Sequence, residues 1–302
     1  MKIIDIFNKL YYYRWNIGFA EKDIKDIILD KESQIDVKWV KHSYRDRFFA
    51  DPFILNLGES QIQVLVEEFP YSIKKGIISL LTIDRNSYTL IDRKVVLEQS
   101  FHMSYPYIQR DKDNNVMWVA PEASMSGRLY RYSLEKDTNI LTNQVTVIDH
   151  PLLDSTIVEY DNMFWLFCTK RGDSSNSQLH IYFSNSLDGP WEDHPCNPVL
   201  DDSMMARPAG YMVNLNDTIY RFVQKNDKSY GERIYLTKIV ELSTTSFKEV
   251  FVKELYSQND KYSYGFHTIN GYENICVVDG LCKEFAPLKR ICFELKNKLL
   301  LR

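Results

Sequence analysis

Two aspartates stand in strongly apolar surroundings. Asp51 lies in FFADPF, beside a proline, and Asp154 lies in LLDSTIV. A buried carboxylate without a partner is costly, so an aspartate in such a place either takes part in chemistry or satisfies nearby backbone amides. We predict that Asp51 is a functional acid, base or ligand. Asp154 has the same character, or it caps a turn where a strand begins.

Two histidines occupy comparable positions. His102 lies in FHMSYP and His267 lies in GFHTI. A neutral imidazole can donate a hydrogen bond to a sugar hydroxyl or a phosphate, and it can also transfer protons. We predict that both histidines belong to a binding or catalytic site. The alternative is that each is buried and bonded to a neighbouring strand.

Arg207, in MMARPAG, is the most informative cation, since a guanidinium group suits a carboxylate or phosphate. Lys170, Arg171 and Lys225 follow predicted strands, and with Arg207 they predict an anionic ligand. Each lysine taken alone would be read as a solvated strand end. Other polar residues at strand ends and adjoining loops are Glu67, Glu68, Tyr105, Glu122 and Glu232.

The elements that must position these residues form an internal repeat. Five segments each contain a β-rich run, a polar turn and a second strand, and they begin at Ala50, Tyr105, Asp154, Arg207 and Gly265. Landmark residues in them are about 48 to 59 residues apart, namely Asp51, Pro106, Asp154, Pro208 and His267. This spacing is typical of the blades of a β-propeller.

The turns inside the repeats are rich in residues that tolerate the backbone angles of tight hairpins. They fall at 58–60, 113–115, 160–162, 216–217 and 271–273. Further strands are predicted between the repeats, which gives about four strands per unit. In a propeller the first strand of each blade lines the central channel, so the polar residues at the repeat starts should converge on one face.

The predicted fold is therefore all-β, a five-bladed β-propeller over residues 36–302 with a short N-terminal helical extension over 1–35. The apolar and basic residues within 1–20 suggest an amphipathic helix on a membrane surface. The alternative is a helix that caps the domain or acts as a docking arm. The C-terminal stretch 291–302 could close the ring by pairing with an early strand, and a β-sandwich is the main structural rival.

Composition narrows the range of partners. The chain of 302 residues has 41 acidic and 37 basic residues, a net charge of -4, which does not favour nucleic-acid binding. The five scattered cysteines lack zinc-site spacing and are predicted to be free thiols. No glycine-rich phosphate loop, GxSxG or HExxH motif occurs. Polar and charged residues interrupt the apolar N-terminal run, so a signal peptide is not expected. This predicts a cytoplasmic protein, and contact with the inner face of the membrane is left open.

An ordered set of segments carries a family resemblance. FFADPF, FHMSYPY, DSTIV with FWLFCT, GPWEDHPCNPV, ARPAGY and GFHTI follow one another along the chain. Together they resemble the propeller domain at the front of plant glucosamine inositolphosphorylceramide transferases and of bacterial proteins from polysaccharide loci. The resemblance extends from about Trp39 to Gly280. More distantly, the architecture is similar to the five-bladed family 43 glycoside hydrolases.

The hydrolase resemblance implies roles for particular residues. Asp51 matches the first-blade general base and Asp154 the third-blade aspartate that tunes the acid. Where those hydrolases have an acid glutamate on the fourth blade, this chain has Arg207. Inverting hydrolysis needs two carboxyl groups across the bond. A donor that leaves as a phosphate needs positive charge instead, so the change favours transfer over hydrolysis.

The leading hypothesis is a glycosyltransferase of surface-polysaccharide or glycolipid biosynthesis. Its donor would be a nucleotide sugar or phosphoribosyl diphosphate, and its acceptor a glycan or glycolipid. Asp51 would deprotonate the acceptor, and Asp154 with His102 would position sugar hydroxyls. The predicted substrate-binding residues are Tyr105, Glu122, Lys170, Arg171, Arg207, Lys225, Glu232 and His267, of which the cations would stabilise the leaving phosphate. A divalent cation is allowed but not required.

Two alternatives stay open. The first is a glycoside hydrolase with Asp51 as base and Glu122 or Glu232 as acid, which would release free sugar without a phosphorylated donor. The second is a non-catalytic propeller that binds a glycan and recruits another enzyme.

Overall fold

The computed structural model describes residues 11–258 and 261–285, which form 22 strands and one short α-helix. The N-terminal part contains β1 (Tyr11–Ala20), the helix α1 (Ile24–Leu29), β2 (Gln34–Ile35) and β3 (Lys38–Trp39). Asp23 caps α1, since its side chain accepts a hydrogen bond from the Lys25 backbone N–H.

The next two blades are four-stranded antiparallel meanders. Blade 1 consists of β4 (Arg47–Leu57), β5 (Gln61–Pro70), β6 (Ile77–Asp84) and β7 (Leu90–Leu97). Blade 2 consists of β8 (Ser104–Arg110), β9 (Val116–Glu122), β10 (Leu129–Leu134) and β11 (Leu141–Ile148), with a 3-10 turn at Ser124–Ser126.

Blades 3 and 4 each carry one additional short strand at the outside. Blade 3 consists of β12 (Leu152–Tyr160), β13 (Met163–Lys170), β14 (Gln178–Ser184), β15 (Glu192–Asp193) and β16 (Leu200–Asp201). Blade 4 consists of β17 (Val213–Leu215), β18 (Thr218–Lys225), β19 (Arg233–Leu242) and β20 (Phe247–Ser257), with β2 paired to β20 in parallel.

Blade 5 joins the two ends of the described chain. Its inner strands are β21 (Ile269–Tyr272) and β22 (Ile275–Phe285), and its outer strands are β1 and β3. The strands β1 and β22 pair in antiparallel register from Tyr11–Phe285 to Ala20–Cys276. This pairing closes the ring of blades. The five-bladed propeller fold predicted from the repeats is thus confirmed.

Apolar side chains fill the spaces between neighbouring blades. Phe49, Val64 and Phe19 contribute to the core between blades 1 and 5, where each is fully buried. Phe222 and Phe266 belong to the corresponding core between blades 4 and 5. The long inner strands of the blades therefore bury one or both faces, which explains the abundance of β-branched and aromatic residues in the repeats.

The predicted turns all join the first strand of a blade to its second. In blades 3 and 4 they are two-residue hairpins with left-handed backbone angles, Asp161 and Asn162 at φ 53° and 58°, and Asn216 and Asp217 at φ 52° and 57°. Aspartate and asparagine tolerate this conformation better than most residues.

The helical prediction for residues 1–35 needs correction. Residues 11–20 form the long strand β1 of blade 5, and helix in the described part of this stretch is limited to α1. The run YYYRWNIGFA is rich in aromatic and β-prone residues, and its pairing with β22 outweighs any helical tendency. Residues 1–10 and the predicted closing segment 291–302 lie outside the described residues. Among the described helices, none is long and apolar enough to cross a membrane.

Candidate active site

A cavity of about 550 Å³ opens where the inner strands of the blades begin. Its ionisable lining residues are Asp51, Glu67, His102, Glu122, Arg171, Arg207 and His267, and aromatic rings of Trp15 and Tyr230 also face it. Every blade contributes to this lining or to the residues directly beneath it. The five repeats, whose starts were expected to converge on one face, therefore begin around this cavity.

Three blades place their key residue in the same backbone irregularity. Asp51, Tyr105 and Asp154 have φ of 49°, 41° and 51°, and each lies in a β-bulge near the start of the first strand of its blade. A bulge redirects a side chain and disrupts the ladder locally. Left-handed angles are uncommon for such residues and often occur at functional sites.

Asp51 of blade 1 is held at the centre by groups from blades 2 and 5. Its carboxylate accepts hydrogen bonds from the Tyr105 backbone N–H at 3.2 Å and from the Thr268 hydroxyl at 2.9 Å. Its own backbone N–H donates to Asp279 Oδ2 at 3.0 Å. Burial raises the pKa of Asp51 to about 6, and the charge of Asp154 adds to the rise although that of His267 opposes it.

His267 connects two buried carboxylates. Nε2 lies 3.3 Å from Asp51 Oδ1, and Nδ1 lies 2.8 Å from Asp279 Oδ2. Burial by itself would lower the pKa of His267, but Asp279 and then Asp51 raise it above its usual value. The ring of Trp15 lies against the imidazole, with centroids 4.1 Å apart. The arrangement can exchange a proton between Asp51 and His267 while Asp279 holds the ring.

The same three residues are the one group of metal-ligand type found among the described residues, with ligand atoms within 4.8 Å of one another. One imidazole nitrogen faces each carboxylate, an arrangement that also suits a proton relay.

Asp154 and Arg207 form a buried ion pair. Arg207 Nε donates to Asp154 Oδ2 at 2.6 Å, and Gln224 Nε2 donates to the same oxygen at 2.9 Å. Arg207 Nη1 donates to Asn176 Oδ1 at 2.9 Å, and the guanidinium lies over the Tyr230 ring. These contacts fix the plane of the guanidinium at the cavity wall. Asp154 acts here through Arg207 and does not itself line the cavity.

Two glutamates line the cavity in different settings. Glu122 accepts hydrogen bonds on both oxygens, from the Ser104 hydroxyl at 2.7 Å and from the Ser124 backbone N–H at 2.7 Å. Glu67 is buried, and His102 Nε2 lies 3.6 Å from its Oε1. Burial raises the pKa of Glu67 well above its usual value, and the charges of Asp51 and Glu122 add to this effect.

Some predicted site residues lie away from the cavity. Lys170 Nζ faces Asp193 at 3.8 Å, and Lys225 Nζ bonds to Glu254 at 3.0 Å, with Glu232 at 4.0 Å. Each lysine thus has an acidic partner on its own blade and does not join Arg207. Both lysines therefore fit the alternative prediction, in which each is a strand-end residue and not part of an anion-binding site.

Tyr105 occupies the core below the cavity instead of its wall. Its hydroxyl is bonded to Thr156 at 2.8 Å, its ring packs on Phe53, and it reaches the site only through the N–H that Asp51 accepts. By contrast, Asp51, His102, Glu122, Arg171, Arg207 and His267 line one cavity, as the repeat predicted.

Sequence reasoning missed several contributors. Trp15 lies on β1, in the stretch assigned to a helix, and Asp279 lies on the second strand of blade 5. The Asp in ICVVDG is set in an apolar run like that of Asp51, which is the one signal that could have identified it. The sequence places Glu67 at a strand end but does not indicate a role for it.

The fold and the cavity define a five-bladed β-propeller with an axial site of buried carboxyl groups, histidines and arginines. The chain belongs to the family described as glucosamine inositolphosphorylceramide transferase 1, N-terminal, whose model matches residues 36–275. The resemblance found in the sequence is thereby confirmed.

Relatives in plants carry the same name. The chain is 32% identical over 212 residues to glucosamine inositolphosphorylceramide transferase 1 of Oryza sativa subsp. japonica, which is 68% of this chain and 28% of that protein. It is 29% identical over 210 residues to the protein of the same name from Arabidopsis thaliana, 68% of this chain and 27% of that protein. The matched part is thus under a third of the length of these relatives, which are named as transferases.

Solved structures show the same fold at low identity. A thermostable family-43 glycoside hydrolase has a TM-score of 0.54 at 11% identity, over 72% of this chain and 83% of that one. The exo-β-1,3-galactanase 1,3Gal43A from Clostridium thermocellum has a TM-score of 0.51 at 10% identity, over 79% of this chain and 59% of that one. These likenesses concern the fold alone.

Proposed function

We propose that the protein is a glycosyltransferase of cell-surface polysaccharide or glycolipid biosynthesis that uses a phosphate-activated sugar donor. The observation that carries the proposal is one cavity that holds both Asp51, whose burial raises its pKa to about 6, and the guanidinium of Arg207. A base with a pKa near the working pH suits deprotonation of an acceptor hydroxyl. The names of the plant relatives support transfer as the reaction class.

Asp51 is the base in this proposal. When it takes the acceptor proton, His267 beside it can share that proton, and Asp279 stabilises the positive charge that then forms on the imidazole. The carboxylates and Thr268 are fixed by hydrogen bonds before a substrate arrives, so little reorganisation is needed. His102 lines the same cavity and positions a sugar hydroxyl.

Arg207 and Arg171 stabilise the leaving phosphate. Arg207 uses Nε and Nη1 to bind Asp154 and Asn176, which holds its remaining N–H groups toward the cavity that it lines. Arg171 is exposed at the start of the loop that also supplies Gly172 and Ser175 to the cavity wall. Preorganised guanidinium groups bind phosphate strongly because their hydrogen bonds are charge-assisted. A nucleotide sugar and phosphoribosyl diphosphate are the donor classes proposed, with a glycan or glycolipid as acceptor and a cytoplasmic location.

Thermal unfolding with a panel of nucleotide sugars and phosphoribosyl diphosphate tests this proposal. A donor that binds the folded state raises the melting temperature by an amount that grows with the logarithm of its concentration relative to Kd. We expect at least one phosphorylated donor to stabilise the wild type and to lose this effect in Arg207→Ala. The surface arginine of the Arg128–Asp149 pair gives the matched control, Arg128→Ala, which should respond like the wild type.

Arg207→Ala also leaves Asp154 without its ion pair, so each variant is compared with its own melting temperature without donor. Arg207→Lys retains the charge but not the fork of N–H groups, and we expect an intermediate response. Failure of every phosphorylated donor to stabilise the wild type would contradict the transferase proposal.

A glycoside hydrolase is the second candidate, and the observation that favours it is a second carboxyl group, Glu67, in the same cavity as Asp51. The earlier acid candidates suit this role less well, because Glu232 lies outside the cavity and Glu122 accepts hydrogen bonds on both oxygens. Release of free sugar from an oligosaccharide without phosphorylated donor would favour hydrolysis. Glycan binding that survives in Asp51→Asn, with no turnover by the wild type, would favour a binding module.

A further inference from the structure

Neighbouring glutamates on β5 have opposite environments. Side chains alternate between the two faces of a strand, so Glu67 and Glu68 point in opposite directions. Glu68 is fully buried but compensated, because Arg47 Nη1 lies 2.5 Å from Oε1, Arg93 Nη1 lies 2.6 Å from Oε2, and Ser79 donates to Oε2. Among the described residues Glu67 has no arginine or lysine within ion-pair distance.

The groups that face Glu67 are mostly negative. Its pKa is raised first by burial and then by four carboxylates from four blades, namely Asp51, Glu122, Asp279 and Asp154. The other ionisable groups that line the cavity are His102, His267, Arg171, Arg207 and Tyr230. An ionised Glu67 would be a further buried anion among carboxylates, and such a group takes up a proton instead.

His102 has a fixed tautomer, and its neutral ring suits a protonated Glu67 as neighbour. The Gly76 backbone N–H donates to Nδ1 at 2.8 Å, so the hydrogen of the imidazole must sit on Nε2. Burial lowers the pKa of His102, which keeps the ring neutral. Nε2 lies 3.6 Å from Glu67 Oε1, which is beyond hydrogen-bond distance but places the hydrogen of Nε2 near this oxygen. A proton on Glu67 therefore sits more favourably on Oε2.

Gly76 is the residue that permits this arrangement. A Cβ at position 76 would lie 2.3 Å from the Met103 carbonyl oxygen, 2.7 Å from Glu67 Oε1 and 2.8 Å from His102 Cε1. The backbone thus approaches closely enough to set the imidazole and the carboxyl group together.

We infer that Glu67 carries a proton in the folded protein and donates it in a hydrogen bond from Oε2 to a phosphate oxygen of the bound donor, with the neutral imidazole of His102 beside Oε1. The ligand named here rests on the proposed function, but the protonated carboxyl group does not. A neutral Glu67 also leaves the arginines of the cavity free to attract an anion, which one more carboxylate would oppose.

Infrared spectroscopy of protein labelled with 13C-carboxyl glutamate tests the protonation directly. The label separates glutamates from Asp51 and Asp154, and a protonated carboxyl group absorbs at a higher frequency than a carboxylate. We expect a labelled protonated band at pH 7 that disappears in Glu67→Gln and persists in Glu122→Gln. Absence of the band in the wild type, or its survival in Glu67→Gln, would overturn the inference.

Calorimetric titration with inorganic pyrophosphate, the group shared by the proposed donors, tests the contact to ligand. Glu67→Gln keeps an N–H donor and should bind within about threefold of the wild type, whereas Glu67→Leu should lose at least about tenfold. Binding by Glu67→Leu equal to the wild type would overturn the contact. Absence of pyrophosphate binding by a wild type that shows the infrared band would instead overturn the donor proposal and uphold the protonated Glu67.

Discussion

Individual side chains in the cavity are held in charge states that water would not favour. Asp51 lines the cavity, whereas Asp154 acts on it through Arg207, its ion-pair partner. Asp51 has only histidine and neutral donors as partners. The two aspartates thus have similar sequence settings and different electrostatic ones. Burial of an incompletely compensated carboxylate reduces stability, which is typical of a site preorganised for function.

Asp51→Asn should stabilise the protein at neutral pH. Burial raises the pKa of Asp51 from 3.8 to about 6, so the folded state binds its proton more tightly than the unfolded state and loses stability as the pH rises between these values. The variant should gain up to about 3 kcal/mol in the free energy of unfolding at pH 7.5 and little at pH 4. Urea unfolding at both pH values measures the difference.

Asp84→Asn is the control, because its effect on stability at neutral pH should have the opposite sign to that of Asp51→Asn. Asp84 is a half-buried residue at the end of β6 whose pKa is lowered by hydrogen bonds from Ser87, so its ionised form stabilises the fold and that contribution is lost in acid. We expect this variant to be less stable than the wild type at pH 7.5. An Asp51→Asn variant with no greater gain at pH 7.5 than at pH 4 would show that Asp51 has an ordinary pKa.

At the scale of elements, the inner strands approach one another too closely for an added side chain. Gly210, which leads into β17, has φ 138°, and a Cβ there would lie 1.9 Å from the Ile269 carbonyl oxygen. Tyr211 N–H donates to Asn270 Oδ1, and Asn270 Nδ2 donates to the Pro52 carbonyl. Blades 4, 5 and 1 are therefore tied together beside the axis.

Gly210→Ala should reduce the free energy of unfolding by at least about 3 kcal/mol, because the added methyl group meets fixed backbone. The control is Gly127→Ala, where φ is 80° but nothing lies within 4 Å of a Cβ. That variant should lose only about 1 kcal/mol from backbone strain. Chemical unfolding of both proteins measures the steric part as their difference, and equal losses would contradict the close contact between the blades.

At the scale of the whole molecule, closure depends on strands from opposite ends of the described chain. The strand β1 pairs with β22 and brings Trp15 to the cavity, so the pairing that completes the ring also completes the site. Phe19 on β1 is fully buried and stacks on Tyr88 of blade 1, with ring centroids 5.3 Å apart. Closure is thus secured by packing between blades as well as by the ladder.

Phe19→Ala should open blade 5 preferentially. Loss of a buried phenylalanine destabilises by about 3–5 kcal/mol, and here it weakens the strand that holds β22. Hydrogen exchange followed by mass spectrometry should show faster exchange in β21 and β22 than in blades 2 and 3. Tyr13→Ala, on the same strand but 41% exposed, is the control and should change little. Uniform acceleration in all five blades would contradict a local role in closure.

The sequence by itself determined the repeat, its hairpin turns and the residues that share a face. These follow from local patterns, since strand alternation and turn composition recur at equivalent places in every blade, and so Asp51, His102, Arg207 and His267 could be placed in one cavity. Tertiary structure decided which partner each group meets. Alternation along β5 places Glu67 and Glu68 on opposite faces but cannot say which face has the arginines. Nor can a local pattern reveal that residues 11–20 pair with a strand more than 250 positions away, because that energy exists only once the ring closes.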